Sequence, residues 1–200
     1  MGARMYTEKQ IEKKCYQLKE NLEKAIFLAP TMVYLYYDLA DLKYYYEDYS
    51  AVLAALEKAY KLNPQWPESK FKLGQALVLN NETEKGLNLA IEAVKEDGYK
   101  KPADINWLGK ELEKEREYQK LIELFKYLTY QVNPQYKIQL SYGYLLAGEK
   151  EKAEKTADEA LIMGSEELGR RGFELLAEIY QALGREEKAK KAKAKVFGIE

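Results

Sequence analysis

Few side chains in this 200-residue sequence could carry out covalent or acid–base chemistry. The chain has no histidine and a single cysteine, Cys15. A cysteine nucleophile needs a neighbouring base, and histidine is the commonest general base and metal ligand in proteins. Cys15 precedes Leu18 and Leu22 by three and seven residues, so all three share one face of a helix. We therefore expect Cys15 to be a small buried apolar residue and not a nucleophile.

The acidic pairs of the sequence give no better candidate for catalysis. Glu166-Glu167 and Glu186-Glu187 are typical of the first turn of a helix and of a solvated surface. No glycine-rich loop of the phosphate-binding kind occurs, and the glycines are scattered. The sequence therefore predicts a protein that is not an enzyme and that holds no cofactor and no metal ion.

Composition and charge exclude two further classes of function. The chain has 32 basic and 33 acidic residues, which gives a formal net charge of -1. This balance creates no general attraction to nucleic acid. No stretch reaches the roughly 18 consecutive apolar residues of a membrane-spanning helix, so we expect no direct insertion into a membrane. A local basic run is interpreted as a solvated surface: Lys188, Lys190, Lys191, Lys193 and Lys195.

Apolar residues, mostly small, recur at nearly equal intervals along the whole chain. Successive members of this column are 34, 34, 35, 32 and 36 residues apart. A period kept through five steps is typical of a tandem repeat in which each repeat packs on the next. The members of the column are Ala25, Ala59, Ala93, Leu128, Ala160 and Val196.

Two more columns predict two helices in each repeat, since their neighbours at offsets of three and four residues trace one helical face. The first helix of each repeat carries a leucine followed by a small residue: Leu39-Ala40, Leu73-Gly74, Leu108-Gly109, Leu140-Ser141 and Leu176-Ala177. The second helix carries Leu18, Val52, Gly86, Leu121, Ala153 and Ala189. Small residues at these positions allow the two helices to approach closely.

This pattern resembles the tetratricopeptide repeat (TPR) family, which has aromatic residues around Leu-Gly in the first helix, Ala in the second helix and Pro at its exit. The best local match runs through Tyr36, Leu39-Ala40, Tyr49, Leu56, Ala59 and Pro64. The resemblance implies an all-α fold, an α-solenoid of stacked helix-turn-helix pairs wound into a right-handed superhelix. It divides the chain into a partial repeat, 1–32, and the repeats 33–66, 67–101, 102–133, 134–169 and 170–200, the last with a capping helix.

In the TPR family the first helices line a concave groove that holds an extended peptide or a partner helix. Carried over by position, this implies a peptide-binding face that is rich in tyrosine, a residue type common in binding hot spots. Tyr44 and Tyr45 are open to a second interpretation, in which they seal adjacent first helices. The candidate binding residues are Tyr34, Tyr37, Asp38, Asp41, Tyr45, Phe71, Lys72, Gln75, Asn106, Trp107, Lys110 and Tyr142, with Gln139 beside them.

One specialised subclass of TPR domain grips a terminal carboxylate with Lys, Asn and Arg. The matching positions here are Tyr37, Asp38, Asp41, Glu68 and Lys72. Three acidic residues at these positions would repel a carboxylate. We therefore expect this part of the groove to favour a basic or aromatic segment.

The resemblance implies a non-catalytic interaction scaffold whose partner is a protein or peptide. Two alternatives stay open. The chain could be the soluble C-terminal domain of a larger bacterial membrane protein, similar to the TPR tails of O-antigen ligase-like proteins, or it could be a structural module that self-associates. Without such an attachment, the expected compartment is the cytoplasm.

The two ends of the sequence differ. Lys193 stands where earlier repeats carry an apolar residue, as expected of a solvated last helix. Met5-Tyr6 stands where Leu-Gly is expected. This difference suggests the hypothesis that the chain is the C-terminal array of a longer protein.

Overall fold

A computed structural model describes residues 7–96, 99, 101–129, 133–164 and 166–197. Met5 and Tyr6 lie outside the described residues. Within these ranges the structure contains eleven α-helices and one short 3₁₀ helix, and it contains no strand. The expected all-α fold of stacked helix pairs is confirmed.

The helices follow one another with short connections. They are α1 (Glu8–Leu28), α2 (Val33–Tyr45), α3 (Tyr49–Leu62), α4 (Pro67–Leu79), α5 (Thr83–Lys95), α6 (Pro102–Lys114), α7 (Tyr118–Thr129), α8 (Pro134–Leu146), α9 (Lys150–Gly164), α10 (Gly169–Ala182) and α11 (Glu186–Val196), with the 3₁₀ helix Glu166–Leu168 before α10. The even-numbered helices α2 to α10 are the first helices of their pairs. The bounds of the repeats stay a prediction.

Proline and capping residues determine where several helices begin. Pro67, Pro102 and Pro134 are the first residues of α4, α6 and α8. Proline suits this position, because the first N–H of a helix has no partner within the helix and its absence costs nothing. The Asp48 carboxylate accepts a hydrogen bond from the Ala51 amide at 3.2 Å at the start of α3. Because that hydrogen bond favours the ionised carboxylate, it lowers the pKa of Asp48.

The turn inside each helix pair has a common backbone feature. One residue in each turn has a positive φ, in the left-handed region that most residues avoid. The five residues are Glu47, Asn81, Arg116, Gly148 and Gly184, with φ between 56° and 79°. Gly148 and Gly184 adopt this conformation without steric cost, because they carry no Cβ atom. The same tight turn therefore closes every pair from α2–α3 to α10–α11.

The chain divides into two compact units, Met1–Ile105 and Asn106–Glu200, which are here called the N-terminal half and the C-terminal half. Four of the six members of the predicted repeat column lie inside the cores: Ala59 and Ala93 in the N-terminal half and Leu128 and Ala160 in the C-terminal half are fully buried. The two end members, Ala25 and Val196, are half-buried. Burial of such apolar surface contributes about 25 cal/mol per Å². The column is therefore part of the packing that holds each half together.

An ion-pair network connects α9 to α11 in the C-terminal half. Arg185 donates to the Glu154 carboxylate through Nε and Nη2, each at 2.9 Å, and Lys188 donates to it at 3.0 Å. These hydrogen bonds from Arg185 and Lys188 lower the pKa of Glu154 to about 2. Lys188 also donates to Asp158 at 2.8 Å. The interpretation of the C-terminal basic run as entirely solvated is therefore wrong for Lys188, which is half-buried and paired with two carboxylates.

Candidate functional site

Four of the candidate residues form one exposed stripe on α2. Tyr34, Asp38, Asp41 and Tyr45 follow one another at intervals of four, three and four residues, and all are exposed. This spacing places them on one face of the helix, which is here called the α2 face. The exposed fractions of Tyr34 and Tyr45 are 56% and 58%. Tyr44 is exposed to 55%, and its ring lies 5.9 Å from that of Tyr49 on α3. The two interpretations of Tyr44 and Tyr45, as binding residues or as a seal between first helices, stay predictions.

Aromatic contacts hold one end of the α2 face in place. The Tyr34 ring meets the edge of Trp66 at 5.2 Å between centroids and that of Tyr37 at 6.0 Å. On the other side, the Lys72 ammonium lies 5.2 Å from the centroid of the Tyr37 ring, within the range of a cation–π interaction. Tyr34 is thus an exposed ring on a rigid support, which lowers the entropy lost when a ligand binds.

Tyr37 and Phe71, both candidate binding residues, belong to the core of the N-terminal half. Tyr37 is 6% exposed, and its hydroxyl shares a 2.6 Å hydrogen bond with Ser69 Oγ. Burial raises the pKa of Tyr37. Phe71 is fully buried and stacks on Tyr99 at 5.3 Å. Neither ring is available to a partner in this conformation, because each already packs against neighbouring side chains.

Tyr99 gave no periodic signal, since it lies between α5 and α6. It covers Phe71 and donates a hydrogen bond to Asp104. Burial, followed by the contact with Asp104, raises the pKa of Tyr99. Close in sequence to Tyr99, Lys101 donates a hydrogen bond to the Glu68 carboxylate at 2.5 Å. Glu68, one of the positions that match the carboxylate clamp, is therefore already ion-paired. Lys72 and Gln75, the other candidates on α4, are half-buried.

The C-terminal half contains a groove of about 450 Å³ between first helices, here called the C-terminal groove. Three candidates, Asn106, Lys110 and Tyr142, line it, together with Gln139. Trp107 is half-buried and does not line it. The lining residues are Asn106, Gly109, Lys110 and Glu113 from α6, Leu121 and Phe125 from α7, Gln135, Gln139 and Tyr142 from α8, and Arg171, Gly172 and Leu175 from α10.

Sequence reasoning missed Arg171, although the repeat pattern contained the signal. Arg171 precedes Phe173 by two residues, as Tyr34 precedes Tyr36. Phe173 and Tyr36 stand in the same column of the repeat, so Arg171 is the counterpart of the exposed Tyr34. Extending the binding column to the last first helix would have found it.

Hydrogen bonds within the C-terminal groove order two of its side chains. The Tyr142 hydroxyl donates to Glu113 at 2.9 Å. Burial, together with the hydrogen bond and charge of Glu113, raises the pKa of Tyr142 to about 12, so Tyr142 stays a neutral donor at physiological pH. The Gln135 amide donates to the carbonyl oxygen of Leu168.

The described residues offer no cluster for metal chemistry. No group of three or more His, Cys, Asp or Glu side chains that could hold a metal ion occurs among them. Cys15 is half-buried, and so less enclosed than the sequence suggested. None of the described helices is both long and apolar enough to span a membrane.

The paired helices, the recurrent turn and the buried repeat column define a TPR-type helical-repeat fold. The fold is similar to that of MamA, residues 41 to the end, from Desulfovibrio magneticus RS-1, with a TM-score of 0.60, 15% identity, and coverage of 84% of this chain and 94% of that chain. The fold is also similar to that of PilW, a widely conserved type IV pilus biogenesis factor. The TM-score is 0.62, the identity is 20%, and the match covers 94% of this chain and 86% of that chain.

A third similar structure has TPR-like repeats by its own description. It is the Q17M form of a putative kinesin light chain with nearly identical repeats from Podospora anserina. The TM-score is 0.62, the identity is 14%, and the match covers 84% of this chain and 94% of that chain. At these identities the likeness concerns the fold. No family model matches the chain, and no curated protein matches its sequence.

Proposed function

We propose that the chain is a non-catalytic scaffold that binds a protein or peptide on the surfaces of its first helices. The observation that carries this proposal is the C-terminal groove, whose walls come from three first helices, α6, α8 and α10. A cleft that repeated elements build together presents side chains at regular intervals, which suits an extended peptide or a helix.

The chemistry of the groove supports a peptide ligand. The amides of Asn106 and Gln139 make no hydrogen bond with other described residues, so they are available to pair with the main chain of a peptide. The half-buried Leu175 supplies apolar surface beside these polar groups, and the buried Leu121 and Phe125 form the floor beneath it. A few polar groups over apolar surface are typical of binding clefts.

The α2 face is a second proposed contact surface, in the N-terminal half. It combines two exposed tyrosines with Asp38 and Asp41, which form no ion pair with any described residue. Tyrosine offers a large contact area with a polar tip, and few rotatable bonds are lost when it is ordered. The two carboxylates favour a partner with Lys or Arg beside an apolar side chain.

A peptide display library selected against the full chain tests the proposal. Two variants, Asn106→Trp and Gln139→Trp, fill the C-terminal groove. The matched control is Lys155→Trp, on the exposed face of the second helix α9. We expect groove-directed peptides to lose about tenfold or more in affinity with either groove variant and to bind the control unchanged, with all three proteins melting like the wild type.

Unchanged binding of every selected peptide to both groove variants would contradict the groove assignment. A depression of about 490 Å³ lined by Tyr60, Leu73 and Leu89 would then be the next surface to test. The remaining alternatives from the sequence, a domain of a larger membrane protein and a self-associating module, stay predictions.

A further inference from the structure

The cations that line the C-terminal groove differ from others in the C-terminal half. Lys110 and Arg171 are exposed, and neither forms an ion pair or hydrogen bond with any described residue. By contrast, Arg170 pairs with Glu174 at 2.9 Å and Lys137 with Glu159 at 2.7 Å. Lys110 and Arg171 therefore stand on α6 and α10 with their charges uncompensated.

Glu113 is the one carboxylate among the described lining residues of the groove. Its Oε1 accepts the hydrogen bond from Tyr142, which holds this carboxylate against α8. With two cations and one engaged anion, the lining residues carry a net positive charge. Outside the lining, Glu178 on α10 is close enough for its charge to act on Tyr142, so the positive charge of the groove is concentrated at Lys110 and Arg171. Basic groups that converge in a cleft raise the local concentration of anionic ligands and their rate of association.

We infer that the C-terminal groove selects an acidic protein segment, with Asp or Glu side chains of the ligand pairing with Lys110 and Arg171. This inference rests on the proposed function. The guanidinium of Arg171 accepts bidentate pairing with a carboxylate, while Lys110 acts as a point charge. Asn106 and Gln139 lie along the same groove and hold the main chain of the segment. The preference is opposite to that of the α2 face, which presents Asp38 and Asp41.

Three matched pools of short peptides test the inference with the full chain. The peptides are N-acetylated and C-amidated, so no terminal carboxylate is present, and the pools differ only in carrying Glu, Gln or Lys at fixed positions. Fluorescence anisotropy measures binding at low and at moderate salt. We expect the Glu pool to bind about tenfold more tightly than the Gln pool, and the difference to shrink as salt rises.

Charge reversal identifies the residues responsible. Lys110→Glu with Arg171→Glu should abolish the preference for the Glu pool and favour the Lys pool, whereas Lys110→Arg with Arg171→Lys should keep the preference for Glu. The control, Lys155→Glu with Lys191→Glu, makes the same change of net charge at exposed residues outside the groove. It should leave the preference intact.

The outcomes separate this inference from the proposed function. If the Gln and Glu pools bind equally and Asn106→Trp blocks both, peptide binding in the groove stands and the acidic preference is wrong. If the control reverses the preference as fully as the groove variant does, net charge and not the groove is responsible, and the inference fails. If no pool binds, or Asn106→Trp blocks none, the proposed groove function fails and the inference fails with it.

Discussion

The main chains of α4 and α5 are in direct contact at Gly74 and Gly86. A Cβ atom on Gly74 would lie 2.7 Å from the carbonyl oxygen of Gly86, and a Cβ on Gly86 would lie 2.5 Å from the carbonyl oxygen of Gly74. Cβ atoms essentially never approach other atoms within 3.0 Å. Since the obstructing atoms are main chain, no rotation of a side chain relieves the clash.

Gly74→Leu should therefore separate α4 from α5. We expect a loss of about 1–3 kcal/mol or more in the free energy of unfolding, as for other overpacked cores, measured by urea unfolding. Glu92→Leu, on the exposed face of α5, should change it by less than about 0.5 kcal/mol. Equal losses for the two variants would show that the crossing is not where the repeat places it.

The buried hydrogen bond between Tyr37 and Ser69 gives a second prediction. Tyr37→Phe leaves Ser69 Oγ, which is fully buried, without its partner, and should cost about 1–3 kcal/mol in the free energy of unfolding. Tyr37→Ala should cost about 3–5 kcal/mol, so it is unsuitable as a test of binding. Tyr34→Phe is the control, because Tyr34 is exposed. A similar loss for Tyr34→Phe would argue against the buried hydrogen bond.

Acid should weaken the C-terminal half through Glu154. The pKa of Glu154 is about 2 in the folded protein, whereas the ordinary pKa of a glutamate side chain is 4.5. Folding therefore favours the ionised carboxylate. The resulting stabilisation is complete above about pH 4.5 and is lost as the pH falls towards 2. Glu154→Gln should be less stable than the wild type near neutral pH, with a gap that closes below pH 4.5.

Urea midpoints measured across this pH range check the prediction for Glu154. The control is Glu123→Gln, at an exposed residue of α7 that forms no ion pair with any described residue. It should follow the wild type throughout. A gap between Glu154→Gln and the wild type that persists unchanged to pH 2 would mean that the carboxylate charge is not its cause.

The α2 face should contribute binding energy in the N-terminal half. The test uses peptides that are selected on the wild-type chain and that bind over the α2 face. For these peptides, Tyr34→Ala with Tyr45→Ala should weaken binding by about 2 kcal/mol, as is typical of paired hot-spot residues. Asp38→Lys with Asp41→Lys should slow association with basic peptides, most strongly at low salt. Tyr16→Ala, at another exposed tyrosine, is the control in surface plasmon resonance. If Tyr16→Ala weakened binding as much as the α2 variants do, the α2 face would have no specific role in binding.

The exposed Lys193 keeps the last helix from presenting an apolar strip. Its Nζ donates a hydrogen bond to Gln181 Oε1 at 3.1 Å and to no other residue that the structure describes, and Phe197, one turn further on, is 72% exposed. Lys193→Leu should leave the chain folded but cause association that rises with concentration, as measured by light scattering. Lys193→Gln removes the charge without adding apolar surface and should stay as dispersed as the wild type. No rise in scattering for Lys193→Leu would contradict the expectation.

The sequence predicted the repeat because its cause is steric and local. Where two helices cross closely, small side chains are favoured, as at Gly74 and Gly86. Most repeats keep a small residue in at least one of these two columns, and this is what made the period visible. Exposure within a first helix is harder to predict. Tyr37 and Asp38 are adjacent, yet one is buried and the other exposed, because the edge of the buried face depends on what packs beside it.

Phe71 shows the same limit in a stronger form. Its cover, Tyr99, comes from a connection that has no helical period, so nothing in the spacing of α4 indicates that the ring is enclosed. The C-terminal groove was predicted in part, through Asn106, Lys110 and Tyr142, which follow the repeat. The charge balance of the C-terminal groove was not predicted. It depends on which cations form ion pairs, as Arg170 does with Glu174, and the spacing of residues does not indicate this.

The contact between Trp66 and Tyr34 has a practical consequence for observing the protein. Trp66 is one of two tryptophans in the chain, and its indole meets the exposed ring of Tyr34 at 5.2 Å. Indole emission responds to changes in the polarity and packing around the ring. In a Trp107→Phe background, Trp66 becomes the sole indole fluorophore, so the chain carries its own optical reporter. A ligand that settles on Tyr34 would register as a spectral shift, without any attached dye.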